Sequence, residues 1–347
     1  MAQYSNFKKP AFYIPIGDYM QSLGNVEWSN DAWNDIHLLN PTKTHRISLP
    51  PESQFNKNIR FKDSIPYNTI ADADGYIYIF ILGHNLYSEG SHLEVGLQND
   101  EDDQDSYIVP SEIENIINYQ GLVHSSPEYN GFSIIKAKVS VSNVYGITII
   151  IRNLSSYTQN RDIKIGCVSL CSKWNPPHTP DLSLTMTREY DGVKNTTTKG
   201  GATLSDASYT RGGTFWATNY AWELGTNDYN QGQSFNAESS RTMGRRIWSM
   251  KFSYLSPENV MPKTESLNHY NTSLDLSDSN LYSQSFFSRV LNRIQGSHLP
   301  FIFQANDTDP NTNPDQWAIC RLDQKNISIT QAAPELYSLS MKIRESW

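Results

Sequence analysis

Residues 244–257 read GRRIWSMKFSYLSP, and this stretch decides the fold class. Large apolar side chains occupy every second position, and small or charged side chains fill the positions between them. A period of two residues is typical of a β-strand with one buried face. The residues that we predict to form the core here are Trp248, Met250, Phe252 and Tyr254.

Short segments of strand length recur along the whole chain. Hydrophobic residues make up 38% of the sequence and charged residues only 18%, a composition that suits an all-β protein with long uncharged loops. The segments that we predict as strands are YIYIFIL, SIIKAKV, YGITIII, IKIGCVSL, LSLTMTREY, PFIFQ, WAICRL and YSLSMKIRE. Short strands joined by polar turns favour a mainly β fold built from β-sandwiches.

A proline-rich stretch, WNPPHTPD, predicts the boundary between two units, because proline disfavours both helices and central strands. We predict a β-sandwich or jelly-roll module over residues 1–175 and a linker over 176–182. A second β-sandwich with one packed α-helix would follow over 183–347. Its long Gly-, Thr- and Tyr-rich loop, residues 191–240, has the length of an interaction arm.

Two segments predict helices. LYSQSFFSRVLNRIQG has apolar residues at helical spacing, so we predict a helix near 280–295 in the second unit. Phe286 and Phe287 from this helix, with Phe301 from the strand that follows, are predicted core residues. A shorter helix is expected at SEIENIIN, where Ser111 and Glu114 match a capping box.

Charge and hydropathy exclude some functions. The net charge of −8 argues against a general nucleic-acid binder, although Arg241, Arg245 and Arg246 form a local basic cluster. That cluster is either a solvated strand entrance or a subunit contact. No run reaches the ~18–20 apolar residues of a membrane helix, and the N-terminal residues lack the pattern of a signal peptide. We expect synthesis in a cytoplasm and no membrane partner.

Catalytic patterns such as GxSxG, HExxH, a Walker loop or GxGxxG are absent from the sequence. The pair His84 and Asn85 is interpreted as a loop anchor at a strand end. The three cysteines are expected to be buried thiols. We therefore predict that the protein is not an enzyme and needs no cofactor or metal.

Acidic positions leave two alternatives open. Calcium could bind at 100–105 or 306–315, although solvated loops fit these segments better. A carboxylate pair for glycoside hydrolysis would come from the acids beside aromatic residues. Those acids are Glu189, Asp191 and Glu223.

The order of elements in the second unit resembles tail proteins of tailed bacteriophages. It comprises the W-x-M-x-F-x-Y strand, the helix with FF, PFIFQ, WAICRLD and YSLSMKIRESW. It is similar to the tail-tube-like fold of the distal tail and lambda-type minor tail proteins. The first unit resembles the jelly-roll modules of phage structural proteins, through IYIFILGHNLYSEGSHLEVGL and DIKIGCVSLCSKW.

The resemblance implies a virion structural protein that forms a homo-oligomeric ring, expected to be hexameric, in the tail or tail tip. It would have a distal tail, baseplate or adaptor role and would contact other tail proteins. Aromatic enrichment in the long loop is typical of an interface core. The predicted subunit-interface residues are Phe215, Trp216, Tyr220, Trp222, Arg245 and Arg246. The alternative is a lectin-like adhesin whose first unit stacks aromatic side chains on a host-surface glycan.

Overall fold

The computed structural model describes thirteen segments of the chain. They are residues 8–22, 26–28, 35–41, 43–66, 70–98, 113–118, 127–139, 143–153, 159–190, 193–207, 244–262, 283–308 and 316–346.

The described part of the chain is mainly β. Its strands are β1 (Ala11–Pro15), β2 (Val26–Trp28), β3 (His45–Leu49), β4 (Gln54–Pro66), β5 (Tyr76–His84), β6 (Ser91–Gln98), β7 (Ile113–Ile117), β8 (Gly131–Lys138), β9 (Asn143–Asn153), β10 (Arg161–Ile165), β11 (Cys167–Trp174), β12 (Thr185–Glu189), β13 (Val193–Thr197), β14 (Thr203–Ala207), β15 (Arg245–Leu255), β16 (Phe301–Gln304), β17 (Trp317–Leu322), β18 (Ser328–Ala333) and β19 (Leu336–Glu345). Two short helices, α1 (Ile16–Ser22) and α2 (Pro257–Val260), and a π-helical turn (Phe287–Leu291) accompany them. The predicted fold class, a mainly β protein with sandwich packing, is confirmed.

One antiparallel sheet runs through both halves of the chain. Its strand order is β12-β15-β19-β17-β16-β1-β11-β5-β8-β7, with β18 beside β19. The short N-terminal strand β1 lies in the middle, between β11 and β16. Strands from both sides of the predicted linker therefore share hydrogen bonds. The division into 1–175, 176–182 and 183–347 stays a prediction.

Two groups of buried residues lie on one face of this sheet. In the first half, β5 packs against the separate sheet β2-β4-β9-β6, and the side chains between them include Ile79, Val95 and Ile149. In the second half, β15 and β19 pack against the helical segment through Trp248 and Val290, among others. A third group, which includes Tyr13 and Trp317, lies on the opposite face. Because successive side chains along a strand point in opposite directions, the same strands contribute to the buried groups on both faces of the sheet.

The strand that contains GRRIWSMKFSYLSP is β15, and its alternation is confirmed for most of its length. Trp248, Met250 and Phe252 are buried. Tyr254 is 80% exposed and has a positive φ of 61°. The pairing with β19 shifts register between Phe252 and Leu255, and this irregularity places Leu255 in the core instead. The prediction that Tyr254 is a core residue is wrong.

The helix predicted near 280–295 is shorter and less regular than expected. Its described part becomes helical at Phe286, and the amide of Asn292 donates to the carbonyl of Phe287, which is a π-type bond. Phe286 and Phe301 are fully buried, as predicted. Phe287 is only half-buried and lies outside the buried group, so its assignment to the core is wrong.

Two further predictions about secondary structure are corrected. The segment SEIENIIN contains strand β7, which pairs with β8, and the ladder overrides the local capping pattern. The predicted loop 191–240 contains a hairpin formed by β13 and β14. Among the described residues, the helices are all too short to cross a membrane.

Candidate functional site

Strand β12 forms one end of the large sheet. It pairs with β15 and, among the described residues, with no other strand. Four of its five side chains are exposed and the fifth is half-buried. An edge strand presents backbone N–H and C=O groups that can pair with another chain. This edge is the strongest candidate for an interaction surface.

The apolar face of the second-half core continues onto this edge and stays exposed there. Met186 of β12 is directly opposite Trp248, yet Met186 is 52% exposed while Trp248 is buried. Tyr190, at the end of β12, is 55% exposed, and Leu182, just before β12, is fully exposed. Other exposed apolar side chains in the second half are Val193, Leu204, Tyr254, Met261 and Leu336. An apolar side chain that continues the core face of a sheet into solvent, as Met186 does, is a candidate for an interaction site.

The hairpin β13–β14 begins three residues after Tyr190. Its turn includes Gly201 at a φ of 85°, and the Thr198 hydroxyl accepts from the amide of Ala202. The side chains of 193–206 are exposed except for Thr198, which is half-buried. An isolated two-stranded hairpin is marginally stable in water. The hairpin and the β12 edge together form what we call the edge surface.

Arg246 was predicted to contact a neighbouring subunit, but the structure uses it inside the fold. It is 4% exposed and forms an ion pair with Glu345, with Nη2 and Oε1 separated by 2.9 Å. Its Nε and backbone amide both donate to Oε2 of Glu345, at 3.2 and 3.0 Å. Its Nη2 also donates to the Trp317 carbonyl at 2.6 Å. The interface assignment of Arg246 is therefore wrong.

The remaining predicted interface residues divide into two groups. Arg245 is half-buried on β15, opposite Glu189 of β12. The four aromatic residues lie outside the described residues. They are Phe215, Trp216, Tyr220 and Trp222. The exposure of the β12 side chains could not be predicted from the sequence, because Met186 alternates with threonines as it would in any half-buried strand.

The predicted anchor pair is confirmed at the end of β5. His84 is buried, and its Nε2 lies 2.9 Å from the Ser133 hydroxyl. Burial lowers the pKa of His84 to about 3, so the ring is neutral at neutral pH. The Asn85 side chain donates to the Asp162 carbonyl and accepts from the Lys164 amide, which ties the loop to β10.

A second buried pair lies at α1. Asp18 Oδ1 is 3.5 Å from His37 Nε2, and both side chains are 3% exposed. Burial raises the pKa of Asp18 to about 7. Burial also raises the pKa of Cys167, Cys171 and Cys320, which are free and buried as predicted. Protonated, inaccessible thiols are poor nucleophiles.

The acidic positions are accounted for as far as the structure describes them. Glu189 accepts from Arg344, whereas Asp191, Glu223 and the segments 100–105 and 309–315 lie outside the described residues. Asp307, in the other candidate calcium loop, pairs with Lys173 at 2.6 Å. Within the described segments, no group of three or more His, Cys, Asp or Glu side chains could hold a metal ion. The chain matches no protein-family model, no curated protein and no solved structure.

Proposed function

We propose that this protein is a structural subunit that associates with copies of itself and forms a ring in the tail or tail tip of a tailed bacteriophage. The observation that carries the proposal is Met186. It sits on the core-facing side of the sheet, opposite the buried Trp248, and is nonetheless half exposed. A hydrophobic face that ends in solvent is stabilised when a second molecule covers it.

The edge surface also supports self-association by its position. The open strand edge and the exposed hairpin are two different parts of the edge surface. The hairpin of one copy can therefore contact the strand edge of the next copy. Contacts between different surfaces generate a ring when the rotation closes. The resemblance of residues 247–347 to phage tail proteins is what assigns this ring to a virion. In this proposal the protein has no catalytic role.

The test is the mass of the purified full chain in solution. Sedimentation velocity or light scattering should give an oligomer, and Met186→Asp should shift it toward the monomer. Leu38→Asp is the matched control, because Leu38 is 42% exposed in the first half of the chain and lies away from the edge surface. Circular dichroism of each variant separates lost association from lost folding. A wild-type chain that is monomeric at every concentration and absent from purified particles would contradict the proposal.

One observation favours the lectin-like alternative. Tyr87 is 54% exposed in the loop after β5, and Asn85 anchors that loop. An exposed aromatic ring on a rigid loop can stack on a sugar. Glycan-array binding that disappears in Tyr87→Ala would support this alternative, equal binding by wild type and variant would exclude Tyr87 as the contact, and no binding by wild type would exclude the alternative.

A further inference from the structure

The outward side of β12, β15 and β19 carries an excess of positive charge. Along β15 the residues that point away from the core alternate with Trp248, Met250 and Phe252, and they pair with outward residues of β19. The pairs are Ser249 with Lys342 and Lys251 with Ser340. We call this side, between Arg245 and Lys251 on β15 and between Ser340 and Arg344 on β19, the basic face.

Four cations and three acids lie on or beside the basic face. The cations are Arg245, Lys251, Lys342 and Arg344, and the acids are Glu189, Asp323 and Asp181, whose carboxylate accepts from Ser253 of β15. Arg344 pairs with Glu189, and Lys342 pairs with Asp323 at 2.7 Å. Lys251 is exposed. The basic face is thus positive on a chain whose net charge is −8.

A shallow groove crosses the basic face. Its volume is about 340 Å³, and its polar lining residues are Ser183, Ser249, Lys251, Gln324, Ser340 and Lys342. Three of these residues are serines with short side chains, and the other lining residues include Lys251 and Lys342, whose ammonium groups each have three N–H donors. Such a groove fits an extended segment rich in carboxylates.

The same chain contains a segment with that chemistry. Residues 100–105 read DEDDQD, with five acids in six positions. Asp and Glu outnumber Lys and Arg by 19 to 13 over residues 1–175. The segment follows β6, which belongs to a different sheet from the basic face. It lies outside the described residues and enters here by its sequence alone.

We propose that the basic face binds the acidic segment 100–105 of a second copy of this chain. The inference rests on the proposed self-association and names the contact between copies. It joins the second half of one copy to the acidic first half of the next, which is a head-to-tail contact of the kind that closes a ring. Complementary charge of this kind mainly sets the partner, the register and the association rate.

Charge exchange tests the contact. Lys251→Glu/Lys342→Glu makes the basic face negative, with two cations against five acids, and Asp102→Lys/Asp103→Lys reverses the charge of part of the acidic segment. Each double variant should weaken self-association about tenfold or more, because like charges then face each other. The four substitutions combined should restore it to within about threefold of wild type. Lys8→Glu/Lys9→Glu is the control for a change of four charge units away from the basic face, and it should have no effect.

Each outcome of the sedimentation experiment has one meaning. Wild-type association should also weaken as salt is raised, since the Debye length falls from about 30 Å at 0.01 M to about 8 Å at 0.15 M. An oligomer that Lys251→Glu/Lys342→Glu leaves intact overturns this inference while the proposed function stands. Loss of the oligomer without rescue in the combined variant means a different partner and also overturns it. A wild-type monomer under all conditions refutes the proposed function itself.

Discussion

Replacement of Glu345 by Gln should destabilise the fold more than any single exposed charge change. The carboxylate of Glu345 is the counter-ion of Arg246, and it accepts three hydrogen bonds from Arg246. Both residues are almost fully buried. Without the carboxylate, a guanidinium charge stays in a dry site.

The expected loss follows from that burial. Removal of one partner of a buried ion pair costs about 3–5 kcal/mol. A Gln side chain keeps one carbonyl oxygen that can still accept from Arg246, so we expect the lower end, about 3 kcal/mol. Asp323→Asn in the half-exposed pair with Lys342 is the control and should cost no more than about 1 kcal/mol.

Urea unfolding followed by tryptophan fluorescence measures the difference. Trp248 is a suitable reporter, because its ring lies 5.1 Å from the Arg246 guanidinium carbon. Arg246→Met/Glu345→Leu should recover most of the loss, since apolar residues of similar volume replace a buried pair at little cost. The double-mutant cycle formed by Arg246→Met, Glu345→Leu and their combination should therefore give a coupling energy of about 2 kcal/mol or more.

Two results would refute this reasoning. Glu345→Gln could cost no more than Asp323→Asn, which would mean that the pair is effectively solvated. Alternatively, Arg246→Met could leave the free energy of unfolding unchanged and reduce only self-association. That second result would restore the sequence-based assignment of Arg246 to a subunit contact.

Two other predictions concern the end of β5. The pKa of His84 is lowered in the folded state to about 3, whereas an unfolded His has a pKa of about 6.5. The contribution of neutral His84 to the free energy of unfolding is therefore complete above pH 6.5 and is lost as the pH falls toward 3. Wild type should lose roughly 1.4 kcal/mol per pH unit in that window relative to His84→Gln, and parallel pH profiles in thermal unfolding would contradict this. Gly83 has a φ of 69°, and a Cβ there would lie 2.7 Å from the Pro41 carbonyl oxygen, so Gly83→Ala should cost about 2–4 kcal/mol in urea unfolding. Gly75→Ala, at a φ of 84° but in open space, should cost only about 1–2 kcal/mol, and equal costs would show that the Pro41 contact does not matter.

The strands were largely predictable because their pattern is local. The alternation in β15 and β19 and the apolar runs of β5 and β9 follow from side-chain direction along a strand, which the sequence displays directly. The end of β15 was not predictable. A register shift against β19 turns Tyr254 outward, and such a shift depends on the partner strand and not on the alternation itself.

The order of the strands was not predictable for the same reason. Strand β1 lies at the centre of the large sheet, yet its partner β16 is far away in the sequence, and Tyr13 donates to Gln304 across 291 positions. In β7 the ladder with β8 outweighs a capping box that is worth about 1 kcal/mol. Local patterns describe each element well and say little about its neighbours.

The split between Arg245 and Arg246 shows what this means for the functional surface. The two residues are adjacent in the sequence and were assigned one role, but successive side chains on a strand point to opposite faces. Arg246 lies on the core side, where Glu345 neutralises it. Arg245 lies on the outward side, opposite Glu189, and contributes to the basic face. Of these two residues, Arg246 therefore contributes to the stability of the fold and Arg245 to its surface charge. Only Arg245 lies on the side of the sheet that can face a partner.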